Sequence, residues 1–254
     1  MACATSPEVF EQIAAGSVDG AVLPIENSLH GSVAEHYDLM LAQPVRIARE
    51  SLLRVRHNLI GVPGATLADI RRAMSHPVAL SQCRRWFAAH PGIAAINFYD
   101  TAGSVKHVMA DGLRNTAGIA PELAARQYGA QVLVAGIEDH EENFTRFHLI
   151  LPQLALIRSG APEPVWPPAP PPNKASLAFS VEHRSGTLVL ALEEFARAGV
   201  NLTKIESRPV HGSPWEYVFF VDLRFESAAQ IDAALDAVAP HCRMLKELGR
   251  YAAA

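Results

Sequence analysis

The sequence predicts an α/β protein in two parts: a two-lobed domain, then a smaller ferredoxin-like βαββαβ domain. Three observations predict it. Short apolar runs alternate with helix-length patterns from residue 8 to residue 151, the signature of a mostly parallel α/β sheet arrangement. Residues 160–173 hold seven prolines, which preclude a helix or a central strand and favour an extended linker. The residues after the linker then read strand, helix, strand, strand, helix, strand in about 80 residues. The expected domains are therefore 1–159 and 174–254, joined by the proline-rich 160–173.

Taken in order, Glu8 to Ala15 reads as a helix stopped at Gly16, and Ala21 to Ile25 as a buried strand. Val33 to Ala42 reads as a helix and Val45 to Val62 as two strands. A helix over Val78–Ala89 begins behind Pro77, which suits a first helical turn. Ile93–Tyr99 is a strand, Ala102–Ala110 a helix, Asn115–Ala120 a strand, Pro121–Tyr128 a helix and Gln131–Ala135 a strand. A final strand follows Glu142. Beyond the linker the strands are Ser176–Val181, Asn201–Val210, Glu216–Arg224 and Arg243–Leu248, with helices over Thr187–Ala198 and Ala228–Val238.

Composition narrows the function classes. The 254 residues are 49% hydrophobic and 19% charged, as in an ordinary globular protein, and their net charge of −4 gives no basic footprint for nucleic acid. No apolar stretch reaches membrane-spanning length, and Met1–Phe10 lacks the basic and apolar regions of a signal peptide. Cys3, Cys83 and Cys242 are odd in number and widely spaced, which fits reduced thiols in the cytoplasm. The eleven histidines form no metal-binding pattern, so no metal or cofactor is expected.

Chemistry is expected at the carboxyl ends of strands, where the next helix offers unpaired N–H groups to an anion. Three turns fit: Pro24 to Ser32, which carries Glu26, Asn27 and Ser28; Ser75-His76-Pro77, ahead of Ser81 and Gln82; and Asp100 to Ser104, with Thr101 and Ala102. Singly, Ser28, Ser75 and Thr101 also read as helix caps. The run Asn143-Phe144-Thr145-Arg146-Phe147 adds a hydroxyl beside a guanidinium, which share a site only where the strand ends or bends. Together these turns lack lysines and any glycine-rich phosphate loop, so they suit a small carboxylate ligand, not a nucleotide.

The segments Val22–Ser28, Ser75–Pro77 with Ala79–Cys83, Asp100–Ala102 and Asn143–Phe147 closely resemble, in matching order, the motifs of prephenate dehydratase. Gly186-Thr187-Leu188-Val189 and Asn201-Leu202-Thr203-Lys204-Ile205-Glu206-Ser207-Arg208-Pro209 resemble the two phenylalanine-binding motifs of that family's C-terminal ACT domain. The resemblance implies a periplasmic-binding-protein-like catalytic domain that converts prephenate to phenylpyruvate, water and carbon dioxide without a cofactor. It makes Thr145 the acid and Arg146 the carboxylate binder, with Asn27 and Ser28 beside them. Glu26, Ser75, Ser81, Gln82, Thr101, Ala102 and Phe147 would shape the substrate site. Gly186, Thr187, Leu188, Val189, Asn201, Leu202, Glu206, Ser207, Arg208 and Pro209 would bind L-phenylalanine as a feedback effector, in a homodimer or homotetramer paired through ACT domains. The family usually has proline before that glycine, where this chain has Ser185. Family members also begin with a strand and a Gly-Pro-x-Gly-Thr-Phe-Ser turn about thirty residues upstream of the segment that Cys3–Gly16 resembles. The expectation is therefore a start placed too late. Arogenate dehydratase shares the motifs, and a phenylalanine-binding regulator without turnover is the reading from another class.

Overall fold

The computed structural model describes residues 3, 5–153, 169–210 and 215–254. The chain begins α1 (Ser6–Ala14), β1 (Ala21–Asn27), β2 (Gly31–Ser32), α2 (Ala34–Ala42) and β3 (Val45–Arg54). It continues β4 (Asn58–Gly61), β5 (Arg72–Ser75), α3 (Pro77–Ser81), α4 (Arg84–Ala89), β6 (Ala94–Asn97), α5 (Thr101–Ala110), β7 (Thr116–Ala120), α6 (Glu122–Tyr128) and β8 (Gln131–Val134). It ends β9 (Phe144–Pro152), β10 (Lys174–Ser180), α7 (Thr187–Arg197), β11 (Asn201–Pro209), β12 (Tyr217–Arg224), α8 (Ala228–Val238) and β13 (Met244–Tyr251). Two compact units result: residues 1–53 with 145–254, and residues 54–144.

In the first unit one sheet has the order β2-β1-β9-β3 and a second has the ferredoxin-like order β11-β12-β10-β13. The alternation of β10 explains how they are covered. Ala175, Leu177 and Phe179 pack with Ala191 and Phe195 of α7 and Ile231, Ala234 and Val238 of α8. The opposite face, with Ala178, Val218, Phe220, Leu248 and Tyr251, joins Phe10, Ile13, Leu23, Ile25, Met40, Val45 and Ile150 in one core. A strand buried on both faces reads as a continuous apolar run, which is why β10 shows no polar alternation at its centre. Three ties complete this packing. Lys246 donates to the carbonyls of Met40, Leu41 and Gln43 at 3.0, 2.7 and 3.0 Å, placing a cation at the end of α2. His36 links α2 to the Pro24 carbonyl at 2.6 Å and to Ser6 at 2.9 Å. At Gly249 β13 passes so close to β3 that a Cβ there would lie 2.2 Å from the Ile47 carbonyl oxygen.

The second unit holds the sheet β6-β5-β7-β4-β8. Its strand pairs β5–β6 and β5–β7 are parallel, while β4–β7 and β4–β8 are antiparallel. Asp100 caps α5 by accepting from the Gly103 N–H at 2.5 Å, and Gly129, at φ 66°, ends α6 in the left-handed conformation.

Three expectations are corrected. The sheets are mixed and not mostly parallel, because β1 pairs antiparallel with β9 and β4 antiparallel with both its neighbours. The helix expected over Val78–Ala89 is broken at Gln82–Cys83. There Asp139, distant in sequence, accepts from the N–H groups of Arg84 and Arg85, each at 2.9 Å, and starts a new helix. The strand Arg72–Ser75 was hidden by its brevity and charge. In the proline-rich stretch 160–173, residues 160–168 lie outside the described residues.

Candidate active site

The turn after β1 and the start of β9 are antiparallel partners, with Asn27 opposite Thr145 and Glu26 opposite Arg146. Residues opposite one another share a face, so the two pairs point to opposite sides of the sheet. Asn27 is oriented unambiguously: its Oδ1 accepts the N–H groups of Leu29 at 3.0 Å and His30 at 3.1 Å, closing an Asx turn. Its Nδ2 is thereby turned to Thr145 and donates to Oγ1 at 3.1 Å. The Thr145 oxygen is an acceptor in that bond, which leaves its own O–H to be donated elsewhere. Ser28 lies exposed in the same turn, and Phe147, two residues on, shares the Thr145 face of β9.

Arg146 points to the other face of the sheet. Arg146 is 8% exposed. It donates to Asp222 of β12, to Glu50 of β3 at 3.2 Å and to the Tyr37 hydroxyl at 3.2 Å, and lies 3.2 Å from Glu26. Four protein groups occupy the fork that was expected to hold a substrate carboxylate. Lys174 joins the cluster through Glu50 at 2.6 Å, and Ser176 bridges Asp222 and Tyr251, each at 2.6 Å. Burial alone would lower the Arg146 pKa, but the Asp222 carboxylate raises it above its ordinary value. Burial would likewise raise Asp222, yet Arg146 and Lys174 hold it below the usual carboxylate range. The cluster is therefore ionised and mutually compensated.

Glu26 is also committed: Lys204 of β11 donates to its Oε1 at 2.8 Å. Glu206 accepts from the Ser32 hydroxyl at 2.9 Å, and Arg208 pairs with Asp38 of α2 at 2.7 and 3.3 Å. These two residues, expected to meet an effector, thus bond to the neighbouring sheet and helix, whereas Ser207 and Pro209 are exposed. Gly186, at φ 85°, precedes α7, where Thr187 donates to the carbonyls of Glu182 and Arg184 and Val189 is exposed. Leu188 packs against the α7–α8 core, as does Leu202; Asn201 is exposed at the start of β11.

In the second unit, Thr101 and Ala102 open α5 and are half-buried, with first-turn N–H groups beyond the reach of the helix's own carbonyls. Ser75 is wholly buried and donates to the Ile119 carbonyl at 2.7 Å; Ser81 donates to Val78 at 2.7 Å. The Gln82 amide meets buried His57 at 2.6 Å. The Ser75 hydroxyl and the Gln82 amide oxygen are thus engaged by protein groups. Sequence reading quoted Lys204 within a motif without giving it a role, and it missed Tyr37, Glu50, Lys174 and Asp222. Nothing local marks them, because each acquires its partner only across the tertiary fold. Among the described residues no group of histidine, cysteine or acidic side chains could hold a metal, and no helix is long and apolar enough to cross a membrane.

The sequence profile of the prephenate dehydratase family matches residues 1–153. An arogenate dehydratase/prephenate dehydratase of Arabidopsis thaliana, chloroplastic, is 36% identical over 259 residues, covering 98% of this chain and 65% of its own length. The chain thus spans just under two thirds of that curated relative. A solved prephenate dehydratase from Arthrobacter aurescens in complex with L-Phe is 31% identical with a TM-score of 0.84, covering 100% of this chain and 81% of its own. A structure described as GqqA, a novel type of quorum quenching acylase, is 32% identical with a TM-score of 0.85, covering 100% and 89%.

Proposed function

The chain belongs to the prephenate dehydratase family, and from that premise we propose that it dehydrates and decarboxylates prephenate to phenylpyruvate, with Thr145 as the proton donor. The observation that carries this reading is the polarity of the Asn27–Thr145 hydrogen bond. As the C–O bond of the ring hydroxyl breaks, Thr145 Oγ1 gives its proton to the departing oxygen, forming water. The electron pair for the new ring double bond comes from the C–C bond to the ring carboxylate, which leaves as carbon dioxide. Negative charge develops on Oγ1 and is met by the Asn27 N–H already in place, a preorganised donor. Solvent then restores the Thr145 proton.

A second reading replaces prephenate by arogenate, its amino counterpart, and is favoured by the double description of the Arabidopsis relative. The acylase description of one neighbour is not adopted, because Thr145 faces an amide that donates to it, not a base that would activate it as a nucleophile. We further infer L-phenylalanine as effector, since a structural neighbour holds it, and pairing of C-terminal sheets in a homodimer or homotetramer.

The test is Thr145→Val, assayed with prephenate and arogenate separately. The expected loss in kcat is about 10²–10⁴-fold, or roughly 3–5 kcal/mol, with an unchanged circular dichroism spectrum. A near-normal rate would remove Thr145 from this role. Phenylpyruvate from the one substrate and phenylalanine from the other separate the two readings.

A further inference from the structure

We propose that Lys204, on β11 of the C-terminal sheet, is a positioning residue for the Asn27–Thr145 pair and acts through Glu26. The inference rests on the reading of Thr145 as the acid. Every residue in it belongs to the first compact unit.

The Lys204 ammonium bridges the two strands of the β1–β2 hairpin. It donates to Glu26 Oε1 on β1 and to Ser32 Oγ on β2, each at 2.8 Å. Glu26 and Ser32 are the cross-strand pair next to Asn27 and Gly31, the last pair before the turn. The clamp therefore closes one residue from the amide that donates to Thr145. Glu206 steadies the ammonium from the same strand at 3.6 Å, and the Tyr37 ring lies 5.7 Å beneath it. The second oxygen of Glu26 meets Arg146 at 3.2 Å, and Arg146 is the chain neighbour of Thr145. Glu26 is thus held between two cations, on the face opposite the Asn27–Thr145 pair.

Alternation converts this grip into orientation. With the Glu26 side chain fixed on the C-terminal-sheet side, the next residue must project from the opposite face. Asn27 is then presented to Thr145, and the Asx turn sets its rotation. The Lys204 side chain is only 13% exposed, so bulk water does not replace it readily when it is removed. Without Lys204 the Ser32 hydroxyl keeps only Glu206, and Glu26 can swing toward Arg146, loosening the hairpin end. Misplacement of a catalytic group by about 1 Å costs on the order of a hundredfold in rate. The structure so assigns Lys204 a role in the chemistry without contact to the reacting atoms.

The experiment compares Lys204→Met, Lys204→Arg, Ser32→Ala and Thr145→Val in the full chain under saturating substrate. Lys204→Met should lower kcat by about tenfold to a hundredfold with KM within about twofold, and Lys204→Arg should restore part of the loss. Combined with Glu26→Gln it should cost less than the product of the single losses, because both act through one contact. If Lys204→Met does not fold, Ser32→Ala carries the test, with a several-fold loss of kcat expected. Unchanged kinetics in the folded lysine variant, or in Ser32→Ala where that variant carries the test, would overturn the proposal. Should Thr145→Val keep its activity, the reading of the acid fails instead, so the two failures are distinguishable.

Discussion

Replacing His148 with leucine should change the acid stability of the protein in a calculable way. His148 is 1% exposed on β9, on the face that carries Arg146, and neither ring nitrogen has a hydrogen-bond partner among the described residues. Burial, seconded by the Arg146 charge, pushes its pKa down to about 3. An unfolded histidine titrates near 6.5, so the unfolded chain takes up the proton first. The stability that depends on a neutral His148 is therefore complete above about pH 6.5 and is lost as the pH falls toward 3. Each pH unit well below 6.5 is worth about 1.4 kcal/mol, so between pH 7.5 and pH 4.5 the native state loses about 2.7 kcal/mol. Asp222 and Glu50 also face this histidine, with Lys174 and Tyr251 nearby. Both carboxyls are held low, so they too destabilise the fold in acid. They persist in the variant, and the difference between the two proteins isolates His148. Urea unfolding at pH 7.5 and pH 4.5, followed by circular dichroism, is the assay. At pH 7.5 His148→Leu should be no less stable than the parent, because it removes two buried polar atoms without partners. Its advantage should grow by about 2.7 kcal/mol at pH 4.5; growth below about 0.5 kcal/mol would refute the account of a buried neutral imidazole.

Gly249→Ala should lower stability by roughly 2–4 kcal/mol, because the added Cβ meets backbone atoms of Ile47 that cannot turn aside. A thermal midpoint equal to the parent's would contradict so close a crossing of β13 and β3. Cys83 is buried, and its thiol is pushed up to about 12 by burial and by Asp139 and Glu138. It should resist iodoacetamide at pH 8 in the folded chain and react once denaturant is added, as read by mass spectrometry. Alkylation of Cys83 in the native protein would contradict that enclosure.

Much of the fold was legible because its signals are local. The βαββαβ order after the prolines follows from period-two and period-3.6 patterns that tertiary contacts reinforce. The Asn27–Thr145 pairing was half legible: both residues stood out, but only register brings them opposite one another. Where the reading failed, the cause lies in distant partners. Asp139 splits a helix whose own sequence favours continuity, and Asp222 and Glu50 claim a guanidinium whose type suits a ligand. A fork of five donors satisfies a buried carboxylate as well as a bound one, and sequence does not reveal which it meets.

The core shared by α1, α2, β1, β3 and β9 with the inner face of the C-terminal sheet bears on how such proteins can be recombined. Grafting residues 174–254 from a relative that differs at Lys174, Ser176, Asp222 or Tyr251 would change one half of the cluster, while Glu50 and Arg146 stayed behind. A chimera would therefore inherit mismatched buried charges unless both sets travelled together. Ancestral exchange of this module is expected to leave correlated changes at those six positions, and a truncated chain ending at residue 153 would expose an oily, charge-studded wall.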